Sequence, residues 1–246
     1  MNIYETGRLV SEYLVFHFGE AEDVLPWPQG PREALGFPAR IVGRFSDGAV
    51  ARALDLGCAV GRSSFELSRA ARAVVGVDYS AAFIAAANHL KEAGRIAADR
   101  LEEGNRKDRV TLHLPDGVHP DRVRFEVGDA MNLRGDLGEF DRVLAANLLC
   151  RLSEPQRLLA RLPSLVRPDG ELILATPCTW LEDFTPPGNW PAGTTLDWLR
   201  EKLGSSFDLV EQRDEPFLIR ETARKFQWTV ALLTKWRRRQ PSGSPP

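Results

Sequence analysis

The sequence predicts an α/β domain on a parallel sheet, and three observations predict it. Short apolar runs at residues 53–57 and 73–78 alternate with helical stretches at 63–70 and 81–93. Strand, helix, strand, helix at this spacing requires crossover helices and therefore parallel pairing. The first run ends in a glycine turn, and the ends of the first, second and third strands carry the acids Asp55, Asp78 and Asp129.

Each element follows in order. Residues 4–18 read as an amphipathic helix or an extended lead-in, with Leu9, Tyr13, Leu14 and Phe16 apolar. Leu25-Pro-Trp-Pro-Gln-Gly-Pro31 holds three prolines around a tryptophan, which excludes a helix or central strand and leaves a rigid loop. Residues 32–45 are helical. Residues 94–120 interrupt the rhythm with a charged loop at 102–109, a strand at 110–114 and a Pro115-Asp-Gly117 turn. This is an inserted β excursion beside the next strand, 123–127. The rhythm resumes with a strand at 140–146, a helix at 155–165, a strand at 171–176, a helix at 196–203, and strands at 207–213 and 225–233. The expected organisation is an N-terminal cap or lid over residues 1–47, one domain over 48–237 with 94–120 inserted, and a disordered tail at 238–246.

Totals set the outer limits. The 246 residues suit one large α/β domain, and 43% hydrophobic residues suffice for a sizeable core. With 32 basic and 34 acidic residues the net charge is −2, which gives no electrostatic footprint for nucleic acid. No apolar run approaches a membrane span, and the first residues lack the pattern of a secretory signal. Cys58, Cys150 and Cys178 are scattered, without the spacing of a disulfide framework or a metal site. A cytoplasmic protein with neither metal, membrane nor nucleic-acid partner is the expectation.

The chemistry is carried by Leu54-Asp-Leu-Gly-Cys-Ala-Val-Gly-Arg62. Gly57 and Gly61 stand four apart, so the Gly-x-Gly-x-x-Gly fingerprint of dinucleotide binding is missing. Asp55 would repel a pyrophosphate at this turn. S-adenosylmethionine has no phosphate; its ammonium, sulfonium and ribose tolerate a nearby carboxylate. The two glycines admit the ligand without a Cβ in the way. Asp78 is placed to accept from the ribose hydroxyls, Tyr79 to lie against adenine, and Asp129 to accept from the adenine amino group, with Ala130 leaving room for the ring. Ligands of open α/β sheets bind beyond the carboxyl ends of the strands, where all three acids fall. The candidate cofactor residues are thus Asp55, Gly57, Gly61, Arg62, Asp78, Tyr79, Asp129 and Ala130, and the cofactor is S-adenosyl-L-methionine, leaving as S-adenosyl-L-homocysteine.

This arrangement resembles the class I S-adenosylmethionine-dependent methyltransferases. The resemblance implies a Rossmann-like three-layer sandwich with a seven-stranded, mostly parallel sheet whose last strand is reversed. Many members carry glycine where this chain has Ala59. A narrower resemblance rests on Tyr4-Glu-Thr-Gly-Arg8, Leu25-Pro-Trp-Pro28, the segment from Asp55 to Phe65, Asn147-Leu-Leu-Cys-Arg151 and Phe217-Leu-Ile-Arg-Glu221. These look like the 4-mercaptohistidine N1-methyltransferases of the ovothiol pathway, which stand alone or fused behind a sulfoxide synthase. The resemblance runs from Tyr4 to about Arg237. It implies methylation of the π imidazole nitrogen of 5-thiohistidine, giving ovothiol A, and a functional link to the sulfoxide synthase. Thr222 departs from the histidine expected there.

Position on the sheet nominates the substrate residues. Asn147 ends the fourth parallel strand, and its amide can donate to one imidazole nitrogen or accept from the other; the alternative is a capping asparagine. Protein-histidine methyltransferases carry a similar Asn-Leu-Leu-x-Arg segment, so a peptide substrate is the second reading, and a non-catalytic binding module the third. Arg151 and Arg220 are candidates for a forked contact with the substrate carboxylate, or for ordinary ion pairs. Tyr4, Tyr13 and Trp27 are candidates for a lid over a small amino-acid substrate, and Trp180 for a pocket wall. His17 reads as a structural histidine, Cys58 as a space filler, and Arg237-Arg-Arg239 as a solvated end.

Overall fold

The computed structural model describes residues 3–240. Its centre is a seven-stranded sheet. Strands β1 (Val50–Leu56), β2 (Ala71–Asp78), β5 (Val123–Val127), β6 (Phe140–Ala146) and β7 (Val166–Thr176) are parallel, and β8 (Phe207–Arg220) forms one edge. The order is β5-β2-β1-β6-β7-β9-β8, with β9 (Phe226–Arg238) antiparallel to both neighbours. The expected reversed last strand is therefore present, threaded between β7 and β8. The order turns at β1, so the loops after β1, β2 and β6 open on a shared crevice, where ligands of doubly wound sheets sit.

Both faces are covered, which explains why the central strands are almost uniformly apolar. One core joins α1 (Gly7–Phe18), α3 (Phe37–Val42), α4 (Arg62–Leu67) and α5 (Ala81–Ala93) to the sheet through Phe16, Phe37, Phe65 and Phe83. The other packs α6 (Pro155–Arg161) and α7 (Thr195–Leu203) through Leu158, Leu199, Phe207 and Trp236. None of the described helices is long and apolar enough to cross a membrane.

The insertion differs from the expectation. Residues 102–109 are not a loop: β3 (Arg95–Glu103) and β4 (Arg106–His113) form a separate antiparallel hairpin turning at Gly104. It does not join the main sheet beside β5 but packs against α1 and α5. Its charges pair across the strands, Arg109 with Asp99 at 3.0 Å and Arg100 with Asp108 at 3.6 Å, which is why the segment lacks strand-like alternation of apolar residues. Strands β8 and β9 also outrun their predicted ends. Arg238 donates to the Ser206 and Pro163 carbonyls and Arg239 pairs with Asp208, so this basic run closes the sheet edge instead of ending the chain in solvent. Of the expected disordered tail, 241–246 lie outside the described residues.

Arg220 is corrected as well. It forms a forked pair with Glu102 of β3, at 2.7 and 2.8 Å, and donates to the Asp23 carbonyl of α2 (Ala21–Val24). Arg100 joins Asp23 and Glu102 to the same network. These side chains fasten the N-terminal segment and the hairpin to β8, and both terminal nitrogens of Arg220 are engaged within the protein. Removing one member of a buried pair strands the other's charge, at a cost of about 3–5 kcal/mol. Arg220→Met is expected to lose stability in that range in urea denaturation. Pairing it with Glu102→Met should restore much of the loss; full additivity of the two would show that they are not coupled.

Candidate active site at the carboxyl rim of the sheet

The turn after β1 is built by conformations that its residues dictate. Gly57 and Gly61 lie in the left-handed region at φ 70° and 92°, and a Cβ on Gly61 would stand 2.6 Å from the Phe125 ring. Ala59 is also left-handed at φ 48°, a rare and costly choice for a residue with a Cβ. The conformation aims the Ala59 N–H at Asp78, whose Oδ2 accepts it at 2.9 Å. Asp78 Oδ1 accepts from the Ser80 N–H, also at 2.9 Å. Burial raises the Asp78 carboxyl above its usual range, and the backbone donors oppose that rise.

Asp55 reaches the site differently from the expectation. It is 1% exposed, beneath the turn, and Ser64 Oγ of α4 donates to its Oδ2 at 2.6 Å. It braces α4 against β1 rather than facing the crevice. Burial pushes its carboxyl up to about 7. Arg62 is likewise turned away: it pairs with Glu66 at 2.9 Å and donates to the His17 carbonyl. Tyr79 is 69% exposed on the rim beside exposed Val127, leaving an open apolar ledge at the ends of β2 and β5. Asp129 accepts from the Met131 N–H, and Ala130 is buried.

The N-terminal segment closes over this rim. Ser80 caps α5, accepting from the Phe83 N–H, and donates its hydroxyl to the Tyr4 carbonyl at 3.0 Å. The Glu5 carboxylate accepts from the Ala81 and Ala82 N–H groups, the free donors at the start of α5. Tyr13 packs on Phe83 with ring centroids 4.8 Å apart, and Tyr4 meets both rings. The Tyr4 hydroxyl is raised by burial and hydrogen-bonded to Arg151. Tyr4, Tyr13, Asp78 and Arg151 therefore face one another. Arg151 also donates to the Thr179 carbonyl and stacks on Phe184.

Asn147 stands at the end of β6. It adopts φ 55°, and its Oδ1 is buried without a hydrogen-bond partner. A strained backbone carrying an orphaned amide oxygen is not a cap. Two other candidates lie elsewhere. Trp180 stacks edge-on against Trp198 and donates to Thr195, which makes it part of the α7 packing. Trp27 donates its indole N–H to the Ala223 carbonyl, in the turn between β8 and β9 where Thr222 accepts from the Arg224 and Lys225 N–H groups. Sequence reasoning missed Glu5 and Ser64, whose partners are distant in the chain; Ser80 before an alanine-rich helix carried a legible cap signal.

The sheet order with its reversed strand, and the glycine turn after β1, are those of the class I methyltransferase fold. Comparison with solved structures agrees. NodS, an N-methyltransferase from Bradyrhizobium japonicum WM9 solved with S-adenosyl-L-homocysteine, is 15% identical with a TM-score of 0.57, covering 94% of this chain and 99% of that one. A S-adenosylmethionine-dependent methyltransferase from Methanosarcina mazei is 16% identical with a TM-score of 0.56, over 82% and 98%. Residues 54–174 match the family model described as a methyltransferase domain. Methyltransferase GfsG of Streptomyces halstedii is 27% identical over 124 residues, 50% of this chain and 37% of that protein, so the match spans little more than a third of the relative. Residues 54–174 thus carry a methyltransferase domain, on a fold that in NodS was solved with S-adenosyl-L-homocysteine.

Two outcomes test the geometry. Asp78→Ala should weaken S-adenosyl-L-homocysteine binding about tenfold or more, given about 1.5–3 kcal/mol for a hydrogen bond to a charged group. Asn147→Ala should weaken it much less, and calorimetry showing the reverse order would remove both assignments. For Asp55, the carboxyl is raised from 3.8 to about 7, so its contribution to stability is present at low pH and lost as pH rises through that window. The melting temperature of Asp55→Asn minus that of the native protein should therefore climb from pH 5 to pH 8; a flat difference would mean an unshifted group.

Proposed function

We propose that the chain is an N-methyltransferase acting on the π imidazole nitrogen of 5-thiohistidine, the last step of ovothiol A formation. The observation that supports this reading is Asn147: a buried, unpartnered amide oxygen at the strand end where the nucleophile meets the methyl group. That oxygen accepts from the τ N–H of the imidazole and so turns the π nitrogen toward the cofactor. The sulfonium of the bound cofactor supplies an activated methyl group. One N–C bond forms and one S–C bond breaks, its electron pair staying on sulfur. With the substrate as its thiolate, the π nitrogen already bears a lone pair and no proton has to leave before transfer. The protein's work is then alignment and exclusion of water.

Arg151 is the group for the substrate carboxylate, handed over from its present partner, the Tyr4 hydroxyl. The N-terminal segment is bonded to α5 through Tyr4 and Glu5 and covers this rim, which favours a small molecule over a peptide backbone. The sulfur would be installed upstream by a sulfoxide synthase, the enzyme class that must supply this substrate.

The test is direct. The protein is incubated with S-adenosylmethionine and, separately, with histidine, 5-thiohistidine and a histidine-containing peptide, and products are weighed by mass spectrometry. A single added methyl on 5-thiohistidine is expected, with histidine much poorer. Methylation of the peptide alone would replace this reading with a protein-histidine methyltransferase, and no product from any acceptor would leave a binding module.

A further inference from the structure

His17 lies one helical turn after Tyr13 on α1, their rings 6.0 Å apart and tilted by 32°. Tyr4, Tyr13 and His17 form a row on the underside of the N-terminal segment. Its Tyr4 end faces Arg151 and Asp78; its His17 end faces Arg62, whose guanidinium donates to the His17 carbonyl at 2.9 Å. Arg62 directly follows Gly61. The row therefore runs from the Tyr4, Arg151 and Asp78 end of the rim toward the start of α4, which follows the glycine turn of β1.

The Nδ1 atom of His17 is sealed from solvent and has no hydrogen-bond partner. Buried polar atoms of this kind are uncommon and call for a partner. Burial, and then the Arg62 charge, lower the imidazole to about 3, so the ring is neutral at physiological pH. A neutral imidazole offers one N–H and one lone pair.

Sheet order says what comes within reach. Asp129 and Asp78 place the adenine over β5 and the ribose over β2, and β1 is the next strand along. The amino-acid end of the ligand then falls over the Gly57–Gly61 turn, under His17. Its carboxylate then lies on the side of the turn that the His17 end of the row covers, where the buried Nδ1 is the polar atom left without a partner.

We propose that His17 is a cofactor-binding residue whose Nδ1–H donates to the α-carboxylate of S-adenosylmethionine, giving the N-terminal segment a direct grip on the ligand it covers. This rests on the placement of adenine and ribose above. It makes closure of the segment depend on the amino-acid end of the cofactor.

The test measures binding by calorimetry, without turnover. Three probes are used: S-adenosyl-L-homocysteine, its decarboxylated analogue, and 5′-methylthioadenosine, which has no amino-acid end. His17→Phe keeps the ring packing and removes both nitrogens; His17→Asn keeps an N–H donor near the Nδ1 position. His17→Phe should bind S-adenosyl-L-homocysteine about ten- to a hundredfold more weakly, the span of one hydrogen bond to a charged group. Its affinity for the other two probes should be unchanged, and His17→Asn should recover most of the loss. Should His17→Phe fail to fold, ¹⁵N spectra of the native protein decide: the Nδ1 resonance must move with S-adenosyl-L-homocysteine and stay with 5′-methylthioadenosine. Equal weakening of all three probes, or of none, overturns the proposal and leaves His17 a packing residue. If Asp78→Ala weakens binding while His17→Phe does not, His17 alone is wrong. If the native protein binds none of the probes, the ligand placement fails with it.

Discussion

The Asp78 carboxylate is the joint on which the rim is assembled. One oxygen takes the Ala59 N–H from the turn after β1, and the other takes the Ser80 N–H from the start of α5. Bonds from backbone N–H to a carboxylate are stronger than neutral ones. Here they add to the backbone bonds from Gly57 and Cys58 N–H to the Val77 carbonyl, which already bring the turn against the end of β2. The left-handed Ala59 is the conformational cost of that contact. With the turn fixed, Gly61 must pass under Phe125 with no room for a side chain, and α4 starts in the direction that lets Ser64 reach Asp55. The turn after β1, the Asp78 carboxylate and the start of α5 thus form one unit.

The N-terminal segment uses that unit as its dock. Its contacts, Tyr4 carbonyl to Ser80 and Glu5 to the first N–H groups of α5, exist only because Asp78 sets where α5 begins. Its far end is held independently by the Asp23, Arg100, Glu102 and Arg220 network. The segment is held by buried ion pairs where it meets the hairpin and by exposed hydrogen bonds where it meets α5. Solvent-exposed Glu5 contributes less than a buried pair. The inserted hairpin, which touches neither β1 nor β2 in the sheet, earns its place as the anchor for that segment.

How much of this the sequence disclosed depended on how local each signal was. Helix α5 was legible to both its ends, because Ser80 caps one and left-handed Gly94 the other. The glycine spacing and the acids at 78 and 129 were legible for the same reason. The hairpin at 95–113 was not, since its order comes from cross-strand charge pairs that look in sequence like a solvated loop. Arg220 and Asp55 were read as ligand contacts because their true partners, Glu102 and Ser64, are identified only by the fold. Lys235 bonded to Glu171 explains why β9 continues through residues that read as a charged tail.

The electrostatics favour a cationic ligand over any other occupant. Asp55 and Asp78 are both pushed up by burial; the Asp78 charge raises Asp55 further, and the Glu5 charge raises Asp78. Two carboxylates held out of water at a sheet edge gain from a positive charge brought close and lose from a negative one. A phosphate-bearing nucleotide would add repulsion to a turn already short of positive charge, because Arg62 is spent on Glu66. A sulfonium nucleoside meets the same turn with attraction. Once the methyl is transferred the sulfur is neutral, and that attraction disappears.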